Sequence, residues 1–182
     1  DLWSVYNAGL GQSWVAISVN WKTLSALPRG RQNLAGVEFD IRGIVQLSGS
    51  DLKVSWPEYP DKAEGIPVGQ RCRKLHFLHA AEGEESYDTS IGAYVVRYAD
   101  GQQQEIPIVY GKDLIACDLG PPQHRNPPIV AWEGQQAPTL PILRLFISTW
   151  DNPRPDIQIE SIDFVSRMTR AAPFLVALTA EP

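Results

Sequence analysis

Apolar and polar residues alternate along much of this chain with a period of two, the pattern of strands that turn one face to a core. The clearest case is residues 92–111, where Tyr94 and Val96 begin an alternating run that ends at Asp100-Gly101. An Asp-Gly pair supplies the positive φ of a tight turn, so this segment predicts a β-hairpin. The core positions predicted for the hairpin are Tyr94, Val96, Ile106 and Ile108.

Similar apolar runs, separated by Gly and Pro, predict an antiparallel β protein without a long helix. Strands are predicted near residues 14–19, 36–47, 52–56, 72–79, 91–99, 104–110, 129–133, 142–149, 157–165 and 173–179, and a helical turn within 22–30. After Ile159 the apolar spacing changes from two to three, which predicts a β-bulge near Glu160 and Ser161. The core face predicted for the last strand consists of Phe174, Val176 and Leu178.

Length and composition favour one core: 182 residues with 43% hydrophobic content predict a single domain spanning 1–182, an antiparallel two-sheet β-sandwich. Sixteen basic and 21 acidic side chains give a formal charge of -5 without a basic cluster, so neither nucleic acid nor an anionic membrane surface is an expected partner. No apolar run approaches the roughly 18 to 20 residues of a membrane span. A start at Asp1, without an initiator Met or a signal-like segment, indicates a processed protein or an excised domain.

Candidate metal ligands and thiols are few. Cys72 and Cys117 fit two buried free thiols best, although a single bridge in an exported protein is the alternative. His76 and His79 are separated by an odd number on a strand, so they face opposite ways and cannot grip one ion.

Two acidic residues, Glu38 and Asp40, share a strand face and are weak candidates for a calcium site or an acid/base pair. The neighbouring Arg42 favours a solvated, salt-bridged row instead.

Five segments carry a resemblance to a known family: VGQRCRKLHFLHA at 68–80, GAYVVRYADGQQQEIPIVYGKDL at 92–114, VAWEG at 130–134, STWDNPRPDIQIESIDFVS at 148–166 and PFLVALT at 173–179. Together they resemble the bacterial galactose-binding-domain-like jelly-roll modules. The resemblance implies a jelly-roll sandwich, frequent association with carbohydrate and, in many relatives, a structural Ca²⁺. It implies no shared catalytic set.

Strand alternation predicts that the loops 80–90, 111–128 and 149–156 meet at one end of the sandwich. There, Trp150 could stack on a sugar ring while planar polar side chains bind hydroxyls; the alternatives are a core position for Trp150 and an ordinary turn at residues 151–153. The candidate carbohydrate-binding residues are His79, Tyr87, Asp113, His124, Trp150, Asp151, Asn152 and Arg154. A second candidate site is formed by Trp56 and Tyr59 in SWPEYP.

The sequence contains no nucleophile elbow, phosphate-binding glycine loop or recognisable Ser-His-Asp set, so no enzyme is predicted. The leading hypothesis is a non-catalytic carbohydrate-binding or glycan-binding accessory module of a larger extracytoplasmic protein, whose other domains are further partners. The first alternative is a protein-interaction or spacer sandwich without a small ligand. The second is a jelly-roll enzyme acting on polysaccharide.

Overall fold

The computed structural model describes residues 2–11 and 23–182, so the predicted strand 14–19 lies outside the described residues. The described residues form eleven strands and one short helix. The strands are β1 (Gly30–Leu34), β2 (Val37–Ile41), β3 (Val45–Gln46), β4 (Lys62–Gln70), β5 (Lys74–Glu82), β6 (Ser90–Tyr98), β7 (Gln103–Val109), β8 (Ile129–Gly134), β9 (Leu143–Asp151), β10 (Ile159–Ser166) and β11 (Ala172–Glu181), and the helix is α1 (Ser50–Ser55).

Two antiparallel sheets form the body of the structure. One has the strand order β4-β10-β6-β7 and the other β3-β11-β5-β9-β8, while β1 and β2 form a separate hairpin. Aromatic rings fill the space between the sheets: Phe77 of β5 stacks on Tyr94 of β6 with 3.9 Å between ring centroids, and Tyr94 also stacks on Phe164 of β10 at 5.0 Å. The predicted all-β, antiparallel sandwich character is therefore confirmed.

The hairpin predicted over residues 92–111 is present as β6 and β7. Gly101 has a φ of 84°, and its N–H donates to the Tyr98 carbonyl at 2.9 Å. Of the predicted core positions, Tyr94, Val96 and Ile108 are buried and Ile106 is partly buried against the core. The predicted β-bulge is also present, because Ile159 pairs with Tyr98 and Ser161 with Arg97, which leaves Glu160 as the inserted residue.

Two strand predictions need correction, and strands β1 and β4 were not predicted. Residues 52–56 belong mainly to helix α1, in which Leu52 is the buried residue; so short a segment shows no periodicity that separates helix from strand. The segment 36–47 is two strands, β2 and β3, with residues 42–44 between them. β4 was missed because its glycines and proline are typical of turns, yet Gly65 and Gly69 adopt positive φ in an edge strand, where proline is tolerated.

The last strand, β11, is buried on both faces rather than one. A register shift lies between Leu175 and Ala177, so Phe174 pairs with Ala80 and Leu178 with Phe77. Residues 77 and 80 of β5 are an odd number apart and lie on opposite faces. The prediction that Phe174 and Leu178 share a face is therefore wrong, although both contact the core.

The sandwich has two chemically different ends. We call one the α1 end; it carries α1 and the loops 83–89, 110–119 and 167–171. We call the other the Asn152 end; it carries residues 71–73, 99–102 and 152–158. Pairing fixes this assignment, because Lys74 at the start of β5 lies opposite Asp151 at the end of β9, and Glu82 at the end of β5 lies opposite Ala172.

The prediction that loop 149–156 lies beside loops 80–90 and 111–128 is therefore wrong. Alternation fails at the β7–β8 connection. β7 ends at the α1 end, where Val109 pairs with Ser90, and β8 also ends there, where Gly134 pairs with Leu143. Because these two strands run in the same direction, the chain between them returns along the sandwich and reverses the assignment of every later loop.

Candidate functional site

At the Asn152 end, the side chain of Asn152 joins three segments of the chain. Its Oδ1 accepts hydrogen bonds from the Tyr98 hydroxyl at 2.6 Å and from the Arg154 N–H at 2.9 Å, and its Nδ2 donates to the Cys72 carbonyl at 2.8 Å. Asn152 is only 6% exposed. These bonds occupy the amide that the sequence suggested for sugar hydroxyls.

Arg154 is also engaged within the protein. Its Nη1 donates to Asp100 Oδ1 at 3.1 Å, its Nη2 donates to Asp100 Oδ2, and its guanidinium carbon lies 4.8 Å from the centroid of the Tyr98 ring. The hydrogen bonds from Arg154 hold the pKa of the Asp100 carboxyl below its ordinary value. Arg154 therefore holds the 99–102 turn against the loop that follows β9.

Trp150 and Asp151 end β9 beside these residues. Trp150 is partly buried against the core and pairs with Leu75, whereas Asp151 is exposed and pairs with Lys74. Trp150 therefore packs against the core at the margin of the sandwich, which was the alternative to a sugar-stacking position.

His79 lies between the sheets and not on a loop. Its Nε2 is 3.0 Å from Ser148 Oγ and its Nδ1 is 3.0 Å from the Tyr94 hydroxyl. Burial lowers the pKa of His79 to about 3, so the ring is neutral and a poor proton acceptor at neutral pH. A cavity of about 70 Å³ beside it is also lined by Asp113 and Trp150, which leaves room for water-sized guests only.

The second histidine of β5, His76, has different partners. Its Nδ1 is 2.9 Å from Thr149 Oγ1 and its Nε2 is 3.0 Å from Glu181 Oε2. The two imidazoles therefore face opposite ways, as predicted.

Two of the predicted site loops do meet at the α1 end. The Tyr87 ring, 43% exposed, has its centroid 6.1 Å from that of Tyr110 and packs against the edge of His124 at 5.4 Å. His124 Nε2 lies 3.4 Å from Asp88 Oδ1. Gly111 makes this packing possible, since a Cβ there would lie 2.5 Å from the Tyr87 ring.

Asp113 acts locally within the same region. Its Oδ2 accepts a hydrogen bond from the Val109 N–H at 2.7 Å, and burial raises the pKa of its carboxyl. The carboxylate thus closes the turn after β7.

A groove opens at the α1 end beside the helix. Its narrow part, of about 190 Å³, continues into a wider depression of about 380 Å³, and the two share part of their lining. We call the whole the Trp56 groove. It is lined by Asp51, Leu52, Ser55, Trp56, Glu82, Gly83, Glu84, Ala116, Asp118 and Arg170.

Helix α1 forms one wall of the Trp56 groove because its start is docked on the loop before β11. The Ser50 N–H donates to the Thr169 carbonyl at 2.8 Å, and a Cβ at Gly49 would lie 2.8 Å from the same oxygen. At the other end of the helix, the Trp56 N–H donates to the Leu52 carbonyl at 2.9 Å. These contacts place the indole at the groove.

The groove combines an apolar wall with charged groups. Leu52 and Trp56 supply the apolar surface. Among the described residues, the charged lining consists of Asp51, Glu82, Glu84, Asp118 and Arg170, and the Arg170 guanidinium lies 3.2 Å from Asp51. The Arg170 N–H also donates to Glu85 at 3.1 Å. The buried Trp56 Nε1 has no hydrogen-bond partner among the described residues.

Sequence reasoning found only part of this site. It named Trp56 and Tyr59, whose ring centroids are 6.4 Å apart, but Tyr59 is buried and lines a separate depression beside residues 4–7. It missed Glu82, Glu84 and Arg170. These residues come from separate segments of the chain and share no spacing that could have revealed them.

The weak metal candidates are paired with arginines. Glu38 lies 3.6 Å from Arg31, and Asp40 lies 2.8 Å from Arg42, all on exposed side chains. Residues 2–11 and 23–182 contain no group of three or more His, Cys, Asp or Glu side chains that could hold a metal ion. A structural Ca²⁺ stays a prediction.

Both cysteines are buried, and neither forms a disulfide. Cys72 precedes the start of β5, whereas the Cys117 N–H donates to the Ala81 carbonyl near the other end of that strand. Nine residues of extended chain separate these positions by about 30 Å, far beyond the span of a disulfide. The single bridge that the sequence left open is therefore wrong.

No helix in the described part of the chain is long and apolar enough to cross a membrane. Comparison with known proteins gives no match, either to a protein-family model or to a curated protein sequence.

Proposed function

We propose that this chain is a non-catalytic glycan-binding β-sandwich and that the Trp56 groove is its binding site. The observation that carries the proposal is an open groove in which Trp56 and Leu52 stand beside carboxylates and a guanidinium. A sugar ring presents C–H groups to an apolar or aromatic wall and hydroxyls to planar polar side chains. The groove offers both kinds of surface.

The Trp56 groove is an open depression with room for a ligand of several atoms. At the Asn152 end, by contrast, Asn152 and Arg154 already have partners within the protein. The α1 end is therefore the better location for a ligand.

The proposal also includes the larger protein of which this chain would be a domain. The resemblance to galactose-binding-like jelly-roll modules supports a role as an accessory domain of a larger, extracytoplasmic protein that acts on or near polysaccharide. The other domains of that protein would be its partners.

A glycan array, followed by affinity electrophoresis against the glycans that bind, tests the proposal. Ser55→Tyr places a bulky ring at the groove without removing a core side chain, and should abolish binding. The matched control is Val54→Tyr on the same helix, because Val54 is 85% exposed and does not line the groove. This control should bind like the parent.

Trp56→Ala should weaken glycan binding by about 1 to 3 kcal/mol through loss of the stacking surface. Thermal unfolding of each variant shows whether it is folded. Binding by Ser55→Tyr at the parent's affinity would place the site elsewhere, and no binding to any glycan on a broad array would reject the function.

A further inference from the structure

We infer that the Trp56 groove binds a chain of two or more linked sugar units, which extends from its narrow part into its wide part, and that it binds single sugars weakly. This inference rests on the proposed function and adds the substrate class. It follows from the way in which the two parts of the groove differ in lining and in size.

The lining of the groove changes along its length. The residues that belong to the narrow part alone are Leu52, Ser55 and Trp56, and those that belong to the wide part alone are Glu84, Ala116 and Asp118. The other lining residues are common to both parts, so the two parts are adjacent and a ligand can extend from one into the other. The groove therefore has a hydrophobic wall at one end and charged side chains at the other.

The volume of each part limits how much of a glycan it can hold. The narrow part measures about 190 Å³ and the wide part about 380 Å³. Sites for small organic ligands usually measure about 300 to 1,000 Å³. The narrow part is below this range and suits one sugar ring, whereas the wide part lies within it and has room for at least one more.

The energetics of binding favour a linked ligand over a single sugar. A single ring in the narrow part must offset the whole loss of translational and rotational freedom with its contacts to Leu52 and Trp56. A second unit on the same chain adds hydrogen bonds to planar polar groups in the wide part without repeating that loss. Each part of the groove therefore contributes most when one chain occupies both.

Hydrogen bonds hold the walls of the groove in place before any ligand binds. On the side of the wide part, the Ala116 N–H donates to the Tyr110 hydroxyl at 3.2 Å. The Arg170 N–H donates to Glu85 at 3.1 Å, which joins the loop before β11 to the loop after β5. Because the spacing of the two parts is fixed in this way, a linked chain binds with little further ordering of the protein.

The test compares ligands of different length. Oligomers of one to six sugar units, prepared by partial hydrolysis of the polysaccharide that binds best on the array and separated by size, are titrated into the protein in a calorimeter. The affinity should rise at least about tenfold from the single sugar to the trimer and then level off, because longer chains extend beyond the groove.

Glu84→Tyr places a bulky ring in the wide part without removing a core side chain, because Glu84 is exposed. It should lower the affinity for the trimer to about that of the single sugar and leave binding of the single sugar unchanged. The matched control is Ser86→Tyr, an exposed position in the same loop that lines neither part and should keep the preference for the trimer. Glu84→Gln should also keep it, because the room in the wide part is unchanged.

The outcomes separate this inference from the proposed function. Equal affinities for the single sugar and the trimer, both lost in Ser55→Tyr, would overturn the inference and leave the glycan-binding function intact. Binding of the trimer to Glu84→Tyr as tightly as to the parent would do the same. No binding of any glycan to the parent would overturn both.

Discussion

The two ends of this sandwich carry similar residue types and use them differently. At the Asn152 end, Asn152 is hydrogen-bonded to Tyr98 and Cys72, and Arg154 is hydrogen-bonded to Asp100. The polar side chains of this end therefore already have partners within the protein. At the α1 end, a tryptophan, carboxylates and an arginine surround an open groove. Residue type alone therefore does not distinguish a ligand site from a structural clasp.

What separates the ends is the number of partners that the fold supplies to each polar group. Buried polar side chains need hydrogen bonds, and the Asn152 end satisfies them internally. The Trp56 groove is an open depression, and the buried Trp56 Nε1 beside it has no partner among the described residues. Four measurements test this difference.

Asn152→Ala should have the largest effect on stability, lowering the free energy of unfolding by about 3 to 4 kcal/mol, because it leaves the Tyr98 hydroxyl and the Cys72 carbonyl unpaired in a buried setting. Denaturant unfolding measures the loss. Glycan binding at the opposite end should be unchanged under conditions where the variant is folded. A loss below about 1 kcal/mol would mean that the clasp is not structural.

Trp150→Ala should lower the free energy of unfolding by about 2 to 3 kcal/mol, less than a fully buried tryptophan would, because the ring is only partly buried. Its affinity for any glycan that the parent binds should remain within about twofold. A stable variant that had lost glycan binding would restore Trp150 as the sugar platform and reverse the assignment of the two ends.

His79, which is buried between the two sheets, should make the free energy of unfolding depend on pH. Its pKa is about 3 when folded and 6.5 in the reference state, so the unfolded chain binds a proton that the folded protein does not. The contribution of His79 to stability is therefore nearly complete above pH 6.5 and is lost as the pH drops towards 3. Between about pH 8 and pH 5 the loss should be about 2 kcal/mol.

His79→Gln should remove this slope, and His76→Gln, in the same strand, should keep it. Denaturant unfolding measured across the pH range gives the pH slope of the free energy of unfolding for each variant and for the parent. The same slope in His79→Gln as in the parent would show that another group is responsible.

Arg170→Ala should have the smallest effect on stability, about 0.5 kcal/mol, because its ion pair with Asp51 is exposed at both side chains. The variant should nevertheless bind glycans about fivefold more weakly, since it removes a planar polar side chain that the proposed site offers to sugar hydroxyls. Calorimetric titration measures the change, and Arg31→Ala, another exposed arginine paired with a carboxylate, is the control.

Local patterns predicted a large part of the fold. The β6–β7 hairpin, its turn at Gly101 and the bulge at Glu160 all depend on residues adjacent in sequence, and all three are present. β4 was not predicted because Gly65 and Gly69 are residues typical of turns. α1 was not predicted because its six residues are too few to show a helical period. The candidate site was predicted only through Trp56.

Alternation and turn residues act over a few positions, so the amino-acid sequence was enough to predict the fold class. Which loops share an end depends on long-range packing, because one lengthwise connection between β7 and β8 changes the direction of every later strand. Packing also decides which polar groups already have hydrogen-bond partners. Asn152 bonds to Tyr98 and Cys72, which lie far away along the chain, whereas Glu84 lines the open groove.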